Sequence, residues 1–404
     1  MKSSFARNAI VLGLLTAVGP FAIDMYLPAL PAIAADFHVS AAATQGSLLA
    51  FFLAIGLGQI IYGPISDSFG RKSPLYFGIA LYVVGTIACG LAPSIGWLIA
   101  ARFIQGIGAC AGGTIPSAIV RDLHTGHEAA RLMSLIMLVF SVSPMLAPIT
   151  GSFIVQFGTW REIFWLTAVL GLAALAVAWF WLQETRPPAE RIAFDAAAIT
   201  RNYLALFRDR HYIGVVLIGA FGISSFFAYL AGSSFIFIDH FGLTPTQFSL
   251  AFSVNAIAFI GMAQFVSLFG KRFGLARVIK TALAFYLAMT TILLVITLAG
   301  VDNPFVLIGF LFVSFGAMGL VIPSTAPLAM QNYGATAGTA SALMGTLQLV
   351  VAAVVIGIVG TFSGGGPLPM IVAMVICALI AFILGRVTLS SVSGAPEPQP
   401  APAE

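Results

Sequence analysis

Twelve long apolar runs constrain this chain more than any other feature. They fall at 9–31, 44–66, 74–93, 97–120, 131–156, 161–183, 211–236, 246–270, 276–299, 304–327, 338–362 and 367–388, each long enough to cross a bilayer as a helix. Lipid offers the backbone no hydrogen-bond partners, so such a run must satisfy its own N–H and C=O groups, as an α-helix does. Outer-membrane strands would alternate over about ten residues, whereas these runs are continuous and rich in Gly and Pro. Only 8% of the 404 residues are charged and 60% are hydrophobic, which excludes an ordinary soluble domain. The expected architecture is an all-α membrane protein of twelve transmembrane helices.

Basic residues orient these spans. Of the 18 Lys and Arg, 16 fall at the N-terminus, in loops after even-numbered spans or at the end of the twelfth; Arg161 lies on the opposite side and Arg102 inside a span. The positive-inside rule then puts both termini in the cytoplasm. The sequence pI of about 9.1 is a topology signal, and no nucleic-acid partner is expected. Lys2 and Arg7 before an apolar run, with Ala32-Ile33-Ala34 behind it, have the outline of a secretory leader. The run is too long for a leader's apolar core and contains Pro20, Asp24 and Pro28, so the first span is expected to be retained. Cys89, Cys110 and Cys377 sit inside spans with no paired spacing, which fits small packing residues and neither a disulfide framework nor a metal site.

The longest polar stretch, 184–210, divides the chain into a six-helix bundle at 1–183 and a second at 211–390, with a Pro-rich tail at 391–404 expected to be disordered. The halves echo each other. SDSFGRK after the second span has a counterpart in GKRFGLAR after the eighth, Phe69-Gly70 matching Phe273-Gly274 at an offset of 204 residues. Duplicated halves of this kind enclose a site near the bilayer midplane in transporters.

Asp24 is the one acid well inside any span, and an intramembrane carboxylate is a functional candidate by default. Pro20, Pro28 and Pro31 share its helix face, so that face must meet protein or water, because lipid could not satisfy the freed carbonyls. Counted from the span ends, Asp24 is 7 residues deep (31 minus 24) and Arg102 is 5 (102 minus 97). At 1.5 Å per residue both lie roughly 8–10 Å below the same surface and could pair, either permanently or in one state only.

The loop GPISDSFGRK after the second span turns tightly on Gly63 and Gly70, with Asp67 ending one helix and Arg71 and Lys72 opening the next. It resembles the G-x-x-x-D-R-x-G-R-K/R signature of the major facilitator superfamily, with Ser68 where that family usually has arginine. RFIQGIGACAGG, from Arg102, is similar to the family's R-x-x-Q-G-x-G-A motif. SPMLAPITGS resembles its antiporter motif G-P-x-x-G-G at Pro148 and Gly151, with Ala147 and Ser152 replacing two glycines. Small residues there let helices approach closely and bend. The run DMYLPALP resembles the first helix of the Bcr/CflA drug-resistance transporters, and the resemblance covers essentially the whole chain.

That resemblance implies two bundles that rock about a central site, with Asp67 and Arg71 latching the cytoplasmic side and Asp24 and Arg102 coupling transport to protons. The implied function is proton-linked export of small drug-like molecules across the bacterial inner membrane. Tyr26, Gln45, Gln105, Phe226, Phe227, Tyr229, Asn255 and Gln348 are the candidate substrate-pocket residues, since aromatic surface with a few polar groups suits a mixed apolar substrate. The expected partners are a small-molecule substrate, protons and membrane lipid, the chain is expected to act as a monomer, and no cofactor is expected. An exporter of an amino acid or sugar fits the same residues. A membrane-embedded enzyme finds no support in Cys/His spacing, a G-x-S-x-G motif or a carboxylate cluster, and a transport-dead sensor is separated only by assay.

If the charge bias sets the topology, reporter fusions at Glu190 and in the C-terminal tail score cytoplasmic and a fusion near Asp302 scores periplasmic. Glu190 and Asp302 reporting the same side would overturn the twelve-span reading.

Overall fold

The computed structural model describes residues 2–191, 194–333, 336–362 and 366–390; the expected disordered tail at 391–404 lies outside them. Twelve helical segments among the described residues are long and apolar enough to span a membrane. The first is interrupted: α1 (Lys2–Asp24) gives way to a 3-10 turn at Leu27–Ala29 and then to α2 (Leu30–Asp36). The rest of the first six are α3 (Ala41–Phe69), α4 (Lys72–Gly90), α5 (Ile95–Leu123), α6 (Gly126–Phe157) and α7 (Arg161–Trp181).

The polar stretch that follows contains a further helix, α8 (Ala196–Arg208). Asp195 caps it by accepting from the Ala197 and Ala198 N–H groups, and Tyr203 and Leu206 are buried on its inner face. The second six spans begin with α9 (Arg210–Ser234), which ends in a π-helical turn at Phe235–His240, and continue with α10 (Pro245–Ala263) and α11 (Val266–Phe273), which form a single broken span. They finish with α12 (Leu275–Leu298), α13 (Pro304–Met330), α14 (Ala337–Thr361) and α15 (Leu368–Thr388). Twelve crossings return the chain to the side on which it began, called the terminus side below.

Within the first six spans, α5 packs on α1, α3 and α4, and α1 also packs on α6 and α7; within the second six, α9 packs on α13, α14 and α15, and α12 on α13 and α15. The two groups meet along α3 with α14 and α6 with α10. Bilayer hydrocarbon gives no net hydrophobic drive between helices, so close packing has to hold these seams, and small residues permit it. On α5, a Cβ at Gly108 would overlap the Tyr82 backbone nitrogen of α4, and on α6 one at Gly151 would overlap the Met25 carbonyl oxygen.

Turn chemistry repeats between the halves. Gly70 and Gly274, at the offset seen in sequence, both have positive φ, +89° and +79°, a region that L side chains rarely occupy. At Gly70 the constraint is doubled, because a Cβ would lie 2.8 Å from Glu184 Oε2.

Gly151→Ala should lower the melting temperature of the detergent-solubilised protein by a few degrees, the response to about 1–3 kcal/mol of overpacking. Gly113→Ala, on α5 where a Cβ meets nothing within 4 Å, should leave it unchanged or raised. Equal melting of both variants with the parent would show that α6 does not need its close seat on the first span.

Candidate functional site

The break in the first span begins with proline. Pro28 has no N–H to give the Asp24 carbonyl, so the helix ends at Asp24 and the chain tightens, Tyr26 N–H donating to the Ile23 carbonyl at 3.2 Å. Asp24 is therefore the last residue of a helix, in place of a charge in mid-helix as the apolar run suggests. It also lies deeper than expected, 12 residues from the span's end at Asp36 (36 minus 24).

The pairing of Asp24 with Arg102 is not present in this structure. Asp24 is 6% exposed, and among the described residues its carboxylate accepts only a long hydrogen bond, 3.5 Å, from the Ser143 hydroxyl of α6. Arg102 is fully buried and serves the helix end instead. Its Nη1 donates to the Ala22 carbonyl at 3.2 Å and to Gln105 Oε1 at 2.6 Å, and the guanidinium lies 4.6 Å from the Tyr26 ring and 4.1 Å from the Phe51 ring. Carbonyls at a helix C-terminus lack partners and carry the negative end of the macrodipole, so a cation there fits both needs. Gln105 passes the contact on to Thr86 Oγ1 of α4 at 2.8 Å. Arg102 Nε and Nη2 have no hydrogen-bond partner among the described residues.

A cavity of about 430 Å³ runs between the halves from Pro20, Ile23, Phe52 and Phe227, beside the break, to Asp67, Arg71 and Gly338 on the terminus side. On the other side the halves are closed by side chain to backbone hydrogen bonds: Gln45 Nε2 to the Ala231 carbonyl (3.1 Å), Ser249 Oγ to Pro148 (2.8 Å) and Ser253 Oγ to Met145 (3.2 Å).

Of the eight expected pocket residues, Phe227 alone lines this cavity, packed on Phe52 at 4.3 Å. Gln45 belongs to the closed side. Tyr26 and Gln105 are buried around Arg102, the Tyr26 hydroxyl bonded to Ser47 at 2.7 Å. Phe226, Tyr229 and Asn255 form part of an aromatic core inside the second half, where Asn255 Nδ2 donates to the Tyr229 hydroxyl at 3.1 Å and Tyr229 stacks on Phe252. Gln348 presses on Gly219 of α9, its Nε2 lying 2.8 Å from where a Cβ would stand. Gln59, Thr114, Phe140 and Tyr203 line the cavity and escape sequence reasoning, because nothing in a uniformly apolar run marks which face turns inward.

The terminus-side loop holds a larger charge cluster than its motif suggests. Arg71, 4% exposed, bonds Asp67 at 2.8 Å and Asp122 at 2.7 Å, while Arg186 reaches Asp67 at 2.6 Å. Glu184 accepts from the Arg71 and Lys72 backbone N–H groups at 2.9 and 3.1 Å, an anion at the N-terminus of α4. Partial burial pushes the Glu184 carboxyl up, but donation from Arg71, Arg186 and Lys72 N–H outweighs it and holds it below the ordinary glutamate range. Asp122, Glu184 and Arg186 are additions to the expected Asp67 and Arg71. All five lie in the first six spans or directly after them, so this cluster ties α3, α4 and α5 to the connecting segment. Gly63 lines the cavity just inside it, and Pro148 and Gly151 sit where α6 meets α10 and the break.

A family model described as Major Facilitator Superfamily matches residues 12–356. The chain is 36% identical over 375 residues to an uncharacterized MFS-type transporter, YdgK, of Bacillus subtilis, covering 92% of each chain. It is 31% identical over 383 residues to a bicyclomycin resistance protein homolog of Haemophilus influenzae, covering 95% of this chain and 96% of that one. With multidrug resistance protein D of Escherichia coli it shares 27% identity over 389 residues, 96% of this chain and 97% of that one. Among solved structures, a POT family transporter in complex with a thioalcohol conjugated peptide is 14% identical and superposes with a TM-score of 0.75 over 96% of each chain, a likeness of fold alone. The chain thus belongs to the major facilitator superfamily, in its Bcr/CflA branch, and is a multi-pass transporter of the bacterial inner membrane, not an enzyme.

Proposed function

We propose that this protein is a proton-coupled antiporter that exports small drug-like molecules by alternating access. The observation that carries the reading is the cavity open to the terminus side and closed on the other, with an aspartate that has no cationic partner among the described residues at the helix break beside its inner end. The relatives named bicyclomycin resistance protein homolog and multidrug resistance protein D support the substrate class. With the termini in the cytoplasm, the side the positive-inside rule assigns them, the cavity would face inward.

A carboxylate at this depth with one long hydrogen bond carries charge only at a steep desolvation cost, so the inward-facing state is read as the protonated one. A substrate entering against Phe52 and Phe227 would favour release of that proton to the cytoplasm. The charged carboxylate would then turn to the two open donors of Arg102, a pairing confined to one part of the cycle. Opening to the periplasm would let the substrate leave and a proton return. One proton moving down ~100 mV gains ~2.3 kcal/mol, and one pH unit adds ~1.4 kcal/mol. Their sum sustains about a 500-fold gradient of a neutral substrate.

Asp24→Asn tests the coupling. Because Arg102 already has other partners in this state, the substitution should leave the melting temperature unchanged, whereas breaking a permanent buried pair would cost about 3–5 kcal/mol. Proton release on substrate addition and proton-driven uptake into inverted vesicles should be lost, with substrate binding retained. Undiminished substrate-linked proton release in Asp24→Asn would remove Asp24 from the mechanism.

A further inference from the structure

A hollow larger than the central cavity lies on the outer face of the second half. It is an open groove of about 830 Å³, walled by α10, α11, α12 and α13. A break in the eighth span accompanies it: Gln264 and Phe265 N–H turn back to the Gly261 and Met262 carbonyls, and α11 sets off as a separate helix. The matching span of the first half, α3, runs unbroken from Ala41 to Phe69.

The walls are aromatic and face the membrane. Phe265, Phe273 and Phe285 are each 46% exposed, and Phe269 lies between Phe265, on which it stacks, and Phe273, with centroids 6.0 and 6.3 Å apart. Gly261 leaves the floor open, since a Cβ there would meet nothing within 4 Å. Arg277 is the one charged residue in the lining, at the terminus-side end, and it has no acidic partner among the described residues. Lys271 and Arg272 lie exposed at the end of α11, and the sequence from 266 to 280 contains no acid. An apolar slot in the bilayer, with cations at one end, fits an amphiphile with an apolar tail and a negative head. A lipophilic cation would meet repulsion at Arg277.

We propose that this groove is a binding site for one anionic phospholipid, an acyl chain lying along the phenylalanine wall and the headgroup phosphate at Arg277. The site is separate from the transport cavity and does not depend on Asp24.

The test is native mass spectrometry of the full-length protein in detergent titrated with phosphatidylglycerol or phosphatidylcholine. Phosphatidylglycerol should be retained in preference to phosphatidylcholine. Arg277→Gln should weaken phosphatidylglycerol retention about fivefold, the loss of one basic residue's attraction for an anionic headgroup, and leave phosphatidylcholine unchanged. Gly261→Phe, which fills the open floor, should reduce retention of both lipids, and Arg386→Gln, a basic residue outside the groove, should change neither. Equal retention of the two lipids by the parent protein overturns the proposal, as does phosphatidylglycerol retention unaltered by Arg277→Gln. Arg277 is exposed, so that variant decides the question alone if Gly261→Phe does not fold.

Discussion

The contact on which the site depends is a buried arginine holding the end of a broken helix. Two prolines within four residues deprive the first span of N–H donors, and in a bilayer the resulting open carbonyls need partners from the protein itself. Arg102 supplies one donor and a full positive charge at the negative end of α1, and Gln105 and Thr86 anchor it to α5 and α4. Gly151 brings α6 down onto the Met25 carbonyl from the other side. Asp24 is thereby left at the end of α1, its carboxylate bonded to Ser143 of α6 and not to Arg102. Two nitrogens of Arg102, Nε and Nη2, have no hydrogen-bond partner among the described residues.

The two six-span halves share a turn but do not carry the same devices. Gly70 and Gly274 preserve one turn, yet at the offset of 204 residues the Asp67 position of the first half holds Lys271 in the second. The first half therefore builds an ion-pair cluster around Arg71 with Asp67, Asp122 and Arg186, while the second presents bare cations beside a broken span. The helix break is one-sided as well: α9 runs continuously through the region corresponding to Asp24. Asp24, Arg102 and the Asp67–Arg71 ion pair all lie in the first half, and the second contributes Phe227 and a packed aromatic core.

Span number and loop placement are legible in the sequence because they follow from run length and hydropathy alone. Asp24, Arg102, Asp67 and Arg71 stand out because each is a charge where charge is costly or a turn where turning is obligatory. Prolines 28 and 31 are visible too, but their effect was legible only as a helix face; that Arg102, 80 residues away, takes up the Ala22 carbonyl at the break has no local signal. Asp122, Glu184 and Arg186 lie 51 to 119 residues from the residues they meet, and no local signal reports such partnerships. The pocket was the least legible part. In helices apolar on every side the residue type does not disclose the inward face, so Tyr229 and Asn255 read like pocket residues and fold as core.

The central claim is that the protonation state of Asp24 sets which side of the molecule is open. The most direct measurement is pulsed electron spin resonance between labels at His127 and Gln331, exposed positions on the terminus-side ends of the two halves, as a function of pH in lipid nanodiscs. The account predicts a long distance at low pH that shortens as pH rises, and a distance in Asp24→Asn that stays long at every pH. A pH-dependent shortening in Asp24→Asn equal to that of the parent protein would contradict it.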